Sequence, residues 1–324
     1  MDPRLGTGAA VVIGIPAVII GYIYGTELVL SRASERLRTR LRPWLWLLPA
    51  LLFLFLFLVW PSILTILRSL QGRLAGNWVG IANYSWFISN NDALTAVRNN
   101  LLWVFFLTLI TVGLGLIIAV LVDRVRYESV AKSVIFVPLA ISMTAAGVIW
   151  RFMFEYQSAG HPQTGTLDGI VTFFGFKPIS WLQIDTAAFN TILLIIVMAW
   201  MWTGFAMVIL SAALKGISPE LLEAARVDGA TEWQVFRGIV FPLLTPTIAV
   251  VSTTMIITAL KTFDIVYVMT GGNFGTDVVA SLMYKQMSFG EFGRSSALAV
   301  VLLIAIVPVM ALNINRFRAQ EAIR

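Results

Sequence analysis

Apolar residues fill seven long stretches of the chain, near 9–30, 44–66, 99–122, 133–154, 187–210, 242–263 and 295–315. Each is long enough to cross a bilayer as a helix, which takes about 20 residues. The fifth is the least regular, because Trp200, Trp202 and Gly204 interrupt its aliphatic pattern. Between the fifth and sixth lies a polar segment, 211–241, with a pattern of its own. Ser218-Pro219-Glu220 reads as a helix start, with Ser at the N-cap, Pro at the first helical position and a carboxylate in the first turn. Asp228-Gly229 stops that helix, since glycine takes the left-handed geometry that ends helices. Thr231 with Gln234 three residues on predicts a capping box and a second helix. Pro242 marks where the next spanning helix begins. So regular a helix–turn–helix in a connecting loop implies that something grips it.

Composition sets the solvent. Of 324 residues, 58% are hydrophobic and 12% charged, with mean hydropathy +0.85. Soluble domains carry roughly 25% charged residues, so this chain lacks the polar surface to live in water. The expected fold is all-α, a polytopic membrane bundle of about seven transmembrane helices. The net charge of +6 does not indicate nucleic acid, because the basic residues form no long patch and fall in short loops. No cysteine is present, which excludes thiol-based metal sites. The first apolar stretch follows Asp2 and Arg4 and exceeds a signal-peptide core in length, so it is expected to be retained.

Topology follows from the cations. One set of loops holds fourteen Lys and Arg, within 32–42, 124–132, 215–237 and 316–324, and the other holds seven. The richer set belongs in the cytoplasm. The N-terminus is then outside, the C-terminus inside, and the 211–241 loop cytoplasmic. The basic linker 31–42 is expected to meet anionic headgroups. Gly21 and Gly25 have the spacing that lets helices approach closely, though chance or simple packing explains it as well.

The remaining loops offer little chemistry. Asn83-Tyr84-Ser85 matches a glycosylation acceptor, a pattern too common to carry weight. His161 is the only histidine and has no second ligand near it in sequence, which favours a surface residue over a metal site. After the flexible turn Thr270–Asp277, the segment Val278–Phe289 reads as an amphipathic interfacial helix, bracing the bundle or receiving a soluble partner. No Gly-x-x-x-x-Gly-Lys-Ser/Thr occurs, so the chain has no such phosphate cradle. An acid/base or nucleophile constellation cannot be assembled either.

Glu223, Ala224, Ala225, Gly229, Ile239 and Pro242 fit the spacing of a known signature: Glu-Ala-Ala, three residues, Gly, nine residues, Ile-x-Leu-Pro. The loop resembles that of permease subunits in bacterial ATP-binding-cassette importers, with Phe241 standing where Leu is usual. Shorter pieces across 44–315 resemble the maltose-type carbohydrate branch: Val79–Tyr84, Phe136–Leu139, Ile149-Trp150 and Phe263-Asp264 leading to Gly272. The extra N-terminal helix and Arg42-Pro43-Trp44 look like importers of α-glucosides or glucosylglycerol. The resemblance implies a type I importer permease fold with a MetI-like core over 44–324, preceded by an added helix and linker over 1–43. It implies a second permease subunit, two ATPase subunits carrying ATP and Mg, and an extracytoplasmic binding protein that delivers sugar. This chain itself needs no cofactor and is not an enzyme. Glu223, Ala224, Ala225, Asp228, Gly229, Ile239 and Pro242 then form the coupling loop that docks on an ATPase. The competing reading is that Ala224, Ala225 and Gly229 only allow close packing within the chain.

For the sugar path, charge within the membrane is a functional pointer. Lys261 and Asp264 stand three apart and are expected on one helix face with Thr258 and Thr262. Trp200, Met201, Trp202 and Phe205 on the preceding helix offer rings for sugar faces. By resemblance these two windows match the sugar-contacting segments of the maltose-type subunit, although Trp202 replaces a Gly and Phe205 a Tyr. An interfacial belt or subunit packing explains the tryptophans equally, and a bracing ion pair explains Lys261–Asp264. Arg151 reads as a snorkelling anchor. Other cargoes, such as an amino acid or osmolyte, remain open, as does an ion-driven secondary transporter.

Overall fold

The computed structural model describes residues 3–32, 34–73, 76–123 and 125–321. Arg124 and Arg324, two of the cations used for topology, lie outside them, as do the side chains of Arg4, Arg316 and Arg318. Among the described residues the only β-pairing is the isolated bridge Gln71–Trp78. The chain packs as two units, Met1–Thr65 and Ile66–Arg324.

The first unit contains α1 (Pro3–Ser31) and most of α2 (Glu35–Ser69). The basic linker is largely helical, because Glu35 already opens α2. Arg38 and Arg42 turn back to Glu27 at 3.8 and 2.8 Å, and the Tyr22 hydroxyl donates to the Leu45 carbonyl. A Cβ on Gly21 or Gly25 would meet nothing, so neither glycine serves a close approach here. Helix α2 runs unbroken past residue 43.

The second unit is built round one helix. It contains α3 (Ala82–Ser89), α4 (Asn91–Val122), α5 (Glu128–Ala140), α6 (Met143–Met153), α7 (Thr166–Phe173), α8 (Phe189–Lys215), α9 (Pro219–Val227), α10 (Glu232–Leu260), α11 (Asp264–Met269), α12 (Val279–Ser288) and α13 (Phe292–Glu321). Helix α8 packs against α4, α5 and α10, and over half of its residues are buried. That explains its irregular composition: it is solvated by protein rather than lipid. At Gly204 a Cβ would lie 2.5 Å from the Ile135 carbonyl oxygen and 2.7 Å from Phe136 Cα. At Gly115 of α4 it would lie 2.6 Å from Ala206 Cβ. Small residues admit these contacts where helices cross closely.

All seven expected stretches are helical, with three corrections. Among the described residues five helices are long and apolar enough to cross a membrane, and a sixth span requires counting the bent pair α5–α6 as one. The fourth stretch therefore does not run straight: α5 and α6 meet at 94°. Pro138 lies in the 3₁₀ turn Val137–Ala140, and Ser142 caps the new helix by accepting from Ala145 N–H at 3.1 Å. Pro242 does not start the sixth helix, which begins ten residues earlier at Glu232 and passes through a π-turn at Phe236–Val240. Proline lacks an N–H and its ring crowds the carbonyl four residues back, and the wider turn makes room. The same device, Phe55–Val59, precedes Pro61 in α2. Finally, α10 ends at Leu260, so Lys261 and Asp264 do not share one helix.

The loops between are ordered by side chains. Asn83 is buried and donates to the Ser69 and Gln71 carbonyls at 2.8 and 2.7 Å, which closes it to glycosylation. His161 is exposed, 3.3 Å from the Ser158 hydroxyl. Asp168 is fully buried and accepts from Ile179 N–H and Trp181 Nε1–H at 2.9 and 3.1 Å.

Because Gly204 faces backbone of α5, Gly204→Val forces α5 and α8 apart. Overpacking of this kind costs about 1–3 kcal/mol. Thermal unfolding of the solubilised protein checks this, with Gly113→Ala, which meets open space, as the near-silent control.

Candidate functional site at the polar loop and the helix seam above it

The loop is a folded unit continuous with the bundle. Helix α9 closes in a Schellman turn: Ala230 N–H donates to the Ala225 carbonyl and Gly229 N–H to the Arg226 carbonyl, both at 3.0 Å. Gly229 sits at φ +87° with nothing near its missing Cβ, so its role is conformational and not a matter of space. Thr231 then opens α10 through the expected capping box. Its N–H donates to Gln234 Oε1 at 2.7 Å while its hydroxyl accepts from Gln234 N–H at 3.4 Å. Ser218 occupies the N-cap of α9 but does not cap it; its hydroxyl donates to Glu220 Oε2 at 3.0 Å.

Two further contacts lock the turn. Arg226 Nε donates to Glu232 Oε1 at 2.7 Å, tying α9 to α10 across Gly229. That carboxylate raises the Arg226 guanidinium above its already high ordinary pKa, so the guanidinium stays charged. Beneath it, Val235, Val240 and Leu244 form a buried cluster, with Leu222, Ala225 and Ala230 packed on it.

The signature residues therefore divide by face. Ala225 and Ile239 are half-buried, whereas Glu223, Ala224, Asp228, Gly229 and Pro242 are exposed. Packing within the chain accounts for Ala225 and does not account for Ala224 or Gly229. The Glu223 carboxylate has no ion pair or hydrogen bond among the described residues. Three apolar residues missed by sequence reasoning are exposed as well: Leu221, Trp233 and Val227, the last 87% exposed. Apolar side chains in a polar loop read as buried, and only the fold shows them facing out.

The other candidates lie along the α8–α10 seam. Trp202 and Phe205 meet edge-to-face at 5.6 Å and pack over Val251 and Met255 of α10. The Trp202 indole N–H is buried with no hydrogen-bond partner among the described residues. Thr258 is half-buried and donates to the Thr254 carbonyl at 2.8 Å. Thr262 is buried, its hydroxyl 3.6 Å from Met198 Sδ of α8. Met201 is buried in the core, while Trp200 is exposed and edge-on to Trp150 at 5.6 Å. Lys261 is exposed and Asp264 half-buried, and no ion pair joins them. Arg151 donates to the Val268 carbonyl at 3.2 Å, tying α6 to α11.

Comparison with known proteins now places this architecture. Residues 111–320 match the family described as "Binding-protein-dependent transport system inner membrane component". The chain belongs to that family: it is a multi-pass inner-membrane permease, a translocation subunit and not an enzyme. It is similar to the osmoprotective compounds uptake permease protein GgtC of Synechocystis sp., 53% identical over 85% of this chain and 99% of that protein. It is also similar to the alpha-glucoside transport system permease protein AglF of Rhizobium meliloti, 43% identical over 95% and 96%. A chain of a bacterial ABC transporter involved in alginate import shares the fold, with TM-score 0.73 at 22% identity over 87% of this chain and 99% of that one.

Removing the Thr231 hydroxyl should loosen the start of α10 without moving the bundle. N-cap losses cost about 1 kcal/mol. Hydrogen exchange at the Glu232–Gln234 amides should accelerate about fivefold in Thr231→Ala, and an unchanged rate would show that the cap does not hold the turn.

Proposed function

We propose that this chain is the membrane subunit of an ATP-driven importer that passes a sugar or glycoside from an extracytoplasmic binding protein to the cytoplasm by alternating access. The observation that carries the reading is the exposed face of the clasped α9–α10 turn. Glu223, which forms no hydrogen bond or ion pair among the described residues, offers a docking surface with the exposed Ala224, Asp228 and Val227, presented on a stiff support. Such a surface suits an ATPase subunit, on which ATP and Mg reside. A rigid element transmits a push that a slack loop would absorb. Ile239 and Pro242 lie at and just past the π-turn, where that push enters the spanning part of α10.

Orientation follows the cation count: the loop and C-terminus are cytoplasmic and the N-terminus is outside. A second permease completes the path, with two ATPases below and the binding protein above. Residues 1–43 are an addition to a 44–324 core, in keeping with a relative that matches along 99% of its length yet covers 85% of this chain.

The cargo is a glycoside or a similar neutral polyol. The relatives named for α-glucosides and osmoprotective compounds support this class. So does the seam, where the free Trp202 N–H, the Phe205 ring and the Thr258 and Thr262 hydroxyls suit a polyhydroxylated solute. Trp200, Met201, Lys261 and Asp264 flank it. An anionic cargo would call for several basic groups, and the 258–264 window holds only Lys261.

Glu223→Lys or Gly229→Pro should reduce sugar uptake to background while the protein stays in the membrane at normal amounts. Uptake assayed beside membrane immunoblots decides this, and normal transport by either variant would remove the coupling role.

A further inference from the structure

Three aromatic rings meet at the end of the bundle opposite the signature loop. Phe263 lies in the break between α10 and α11, and Tyr267 follows one turn on. Their rings stack at 5.1 Å with 17° between planes. Tyr284 of α12 stands edge-on to both, at 5.5 Å and 60° from Phe263 and 5.1 Å and 76° from Tyr267. Rings that pack so closely are ordinarily buried, yet Tyr267 is 45% and Tyr284 36% exposed.

The cluster is held from below. Asn100 of α4 is buried, and its amide nitrogen donates to the Ala259 and Leu260 carbonyls at 3.4 and 3.5 Å, closing the broken end of α10. Its oxygen accepts from Val279 N–H at 2.8 Å, fixing the start of α12. One side chain thus joins the end of α10, three residues before Phe263, to the start of α12, which carries Tyr284. Lys285 Nζ, paired with Asp277 Oδ2 at 2.7 Å, fixes α12 again. Interrupted helices whose ends are satisfied in this way mark binding sites in transporters. Thr262, next to Phe263, faces Met198 in the α8–α10 seam, so in the chain the rings follow directly on that seam.

We propose that Phe263, Tyr267 and Tyr284 form a vestibule subsite that receives one sugar ring of the cargo before it enters the seam. The proposal rests on the glycoside reading above. A pyranose has an apolar C–H face and a rim of hydroxyls. Stacked rings supply the flat apolar partner, and the two phenols, Lys261 and Asp264 supply polar groups at its edge. A lipid chain has no use for those polar groups. A rigid platform takes up a ring without an ordering cost.

The test is uptake by the assembled importer in proteoliposomes, driven by ATP and sugar-loaded binding protein, together with equilibrium binding of a radiolabelled α-glucoside to the solubilised complex without binding protein. Tyr267→Ala and Tyr284→Ala should each weaken glycoside binding and lower sugar moved per ATP by about tenfold. Tyr267→Phe and Tyr284→Phe, which keep the ring, should stay within about threefold of the parent. Wild-type binding in the Ala variants would overturn the subsite, as would Phe variants failing as badly as Ala. Loss of assembled complex in proportion to uptake would assign the rings to subunit packing and also overturn it. A parent importer that moves no glycoside would strike the functional reading itself, a different result from any of these.

Discussion

The Arg226–Glu232 pair closes across a glycine turn, and the geometry of that end of the bundle follows from the clasp. The Schellman turn reverses the chain, the capping box starts α10 again, and the ion pair holds the two helices in one fixed relation. An exposed pair of this kind adds little stability alone, since its median worth is about 0–1 kcal/mol. Its effect here comes from company: the apolar cluster of Val235, Val240 and Leu244 seats the same turn from beneath. Helix α10 continues without a break from Glu232 to Leu260, so a single element joins the clasp to the far end.

At that far end the same requirement appears in another form. A bilayer offers no water to satisfy backbone groups, so an interrupted helix needs partners from within the protein. Asn100 provides them where α10 stops, and Ser142 where α5 gives way to α6. Asn99 adds two more, donating to the Gly275 and Asp277 carbonyls at 2.7 Å each. The breaks are therefore fixed features and not frayed ends. They place Lys261, Asp264 and Phe263 of the ring cluster at one break.

Much of this was legible in the sequence because its signals are local. Thr231 with Gln234, Asp228 with Gly229, and the seven apolar stretches all depend on residues within a turn or a span. The bend at 140–143 and the break at 260–264 were not legible, since the partners that stabilise them are set by tertiary packing: Asn100 lies about 160 residues from the carbonyls it caps. Pro242 misled for a related reason, because a π-turn just upstream lets this proline stand inside a continuous helix. Ser218 shows the limit of cap statistics, as Glu220 takes its hydroxyl first. Val227 and Trp233 were passed over because apolar residues are assumed to point inward.

The most direct measurement of the clasp uses the absence of cysteine in the chain. Spin labels at Val227→Cys on α9 and Leu243→Cys on α10 report the distance across the turn in the assembled complex, with and without ATP. A stiff handle predicts one narrow distribution that stays put while the bundle changes state. A broad distribution, or one that shifts with nucleotide, would show that the turn flexes and cannot deliver the push.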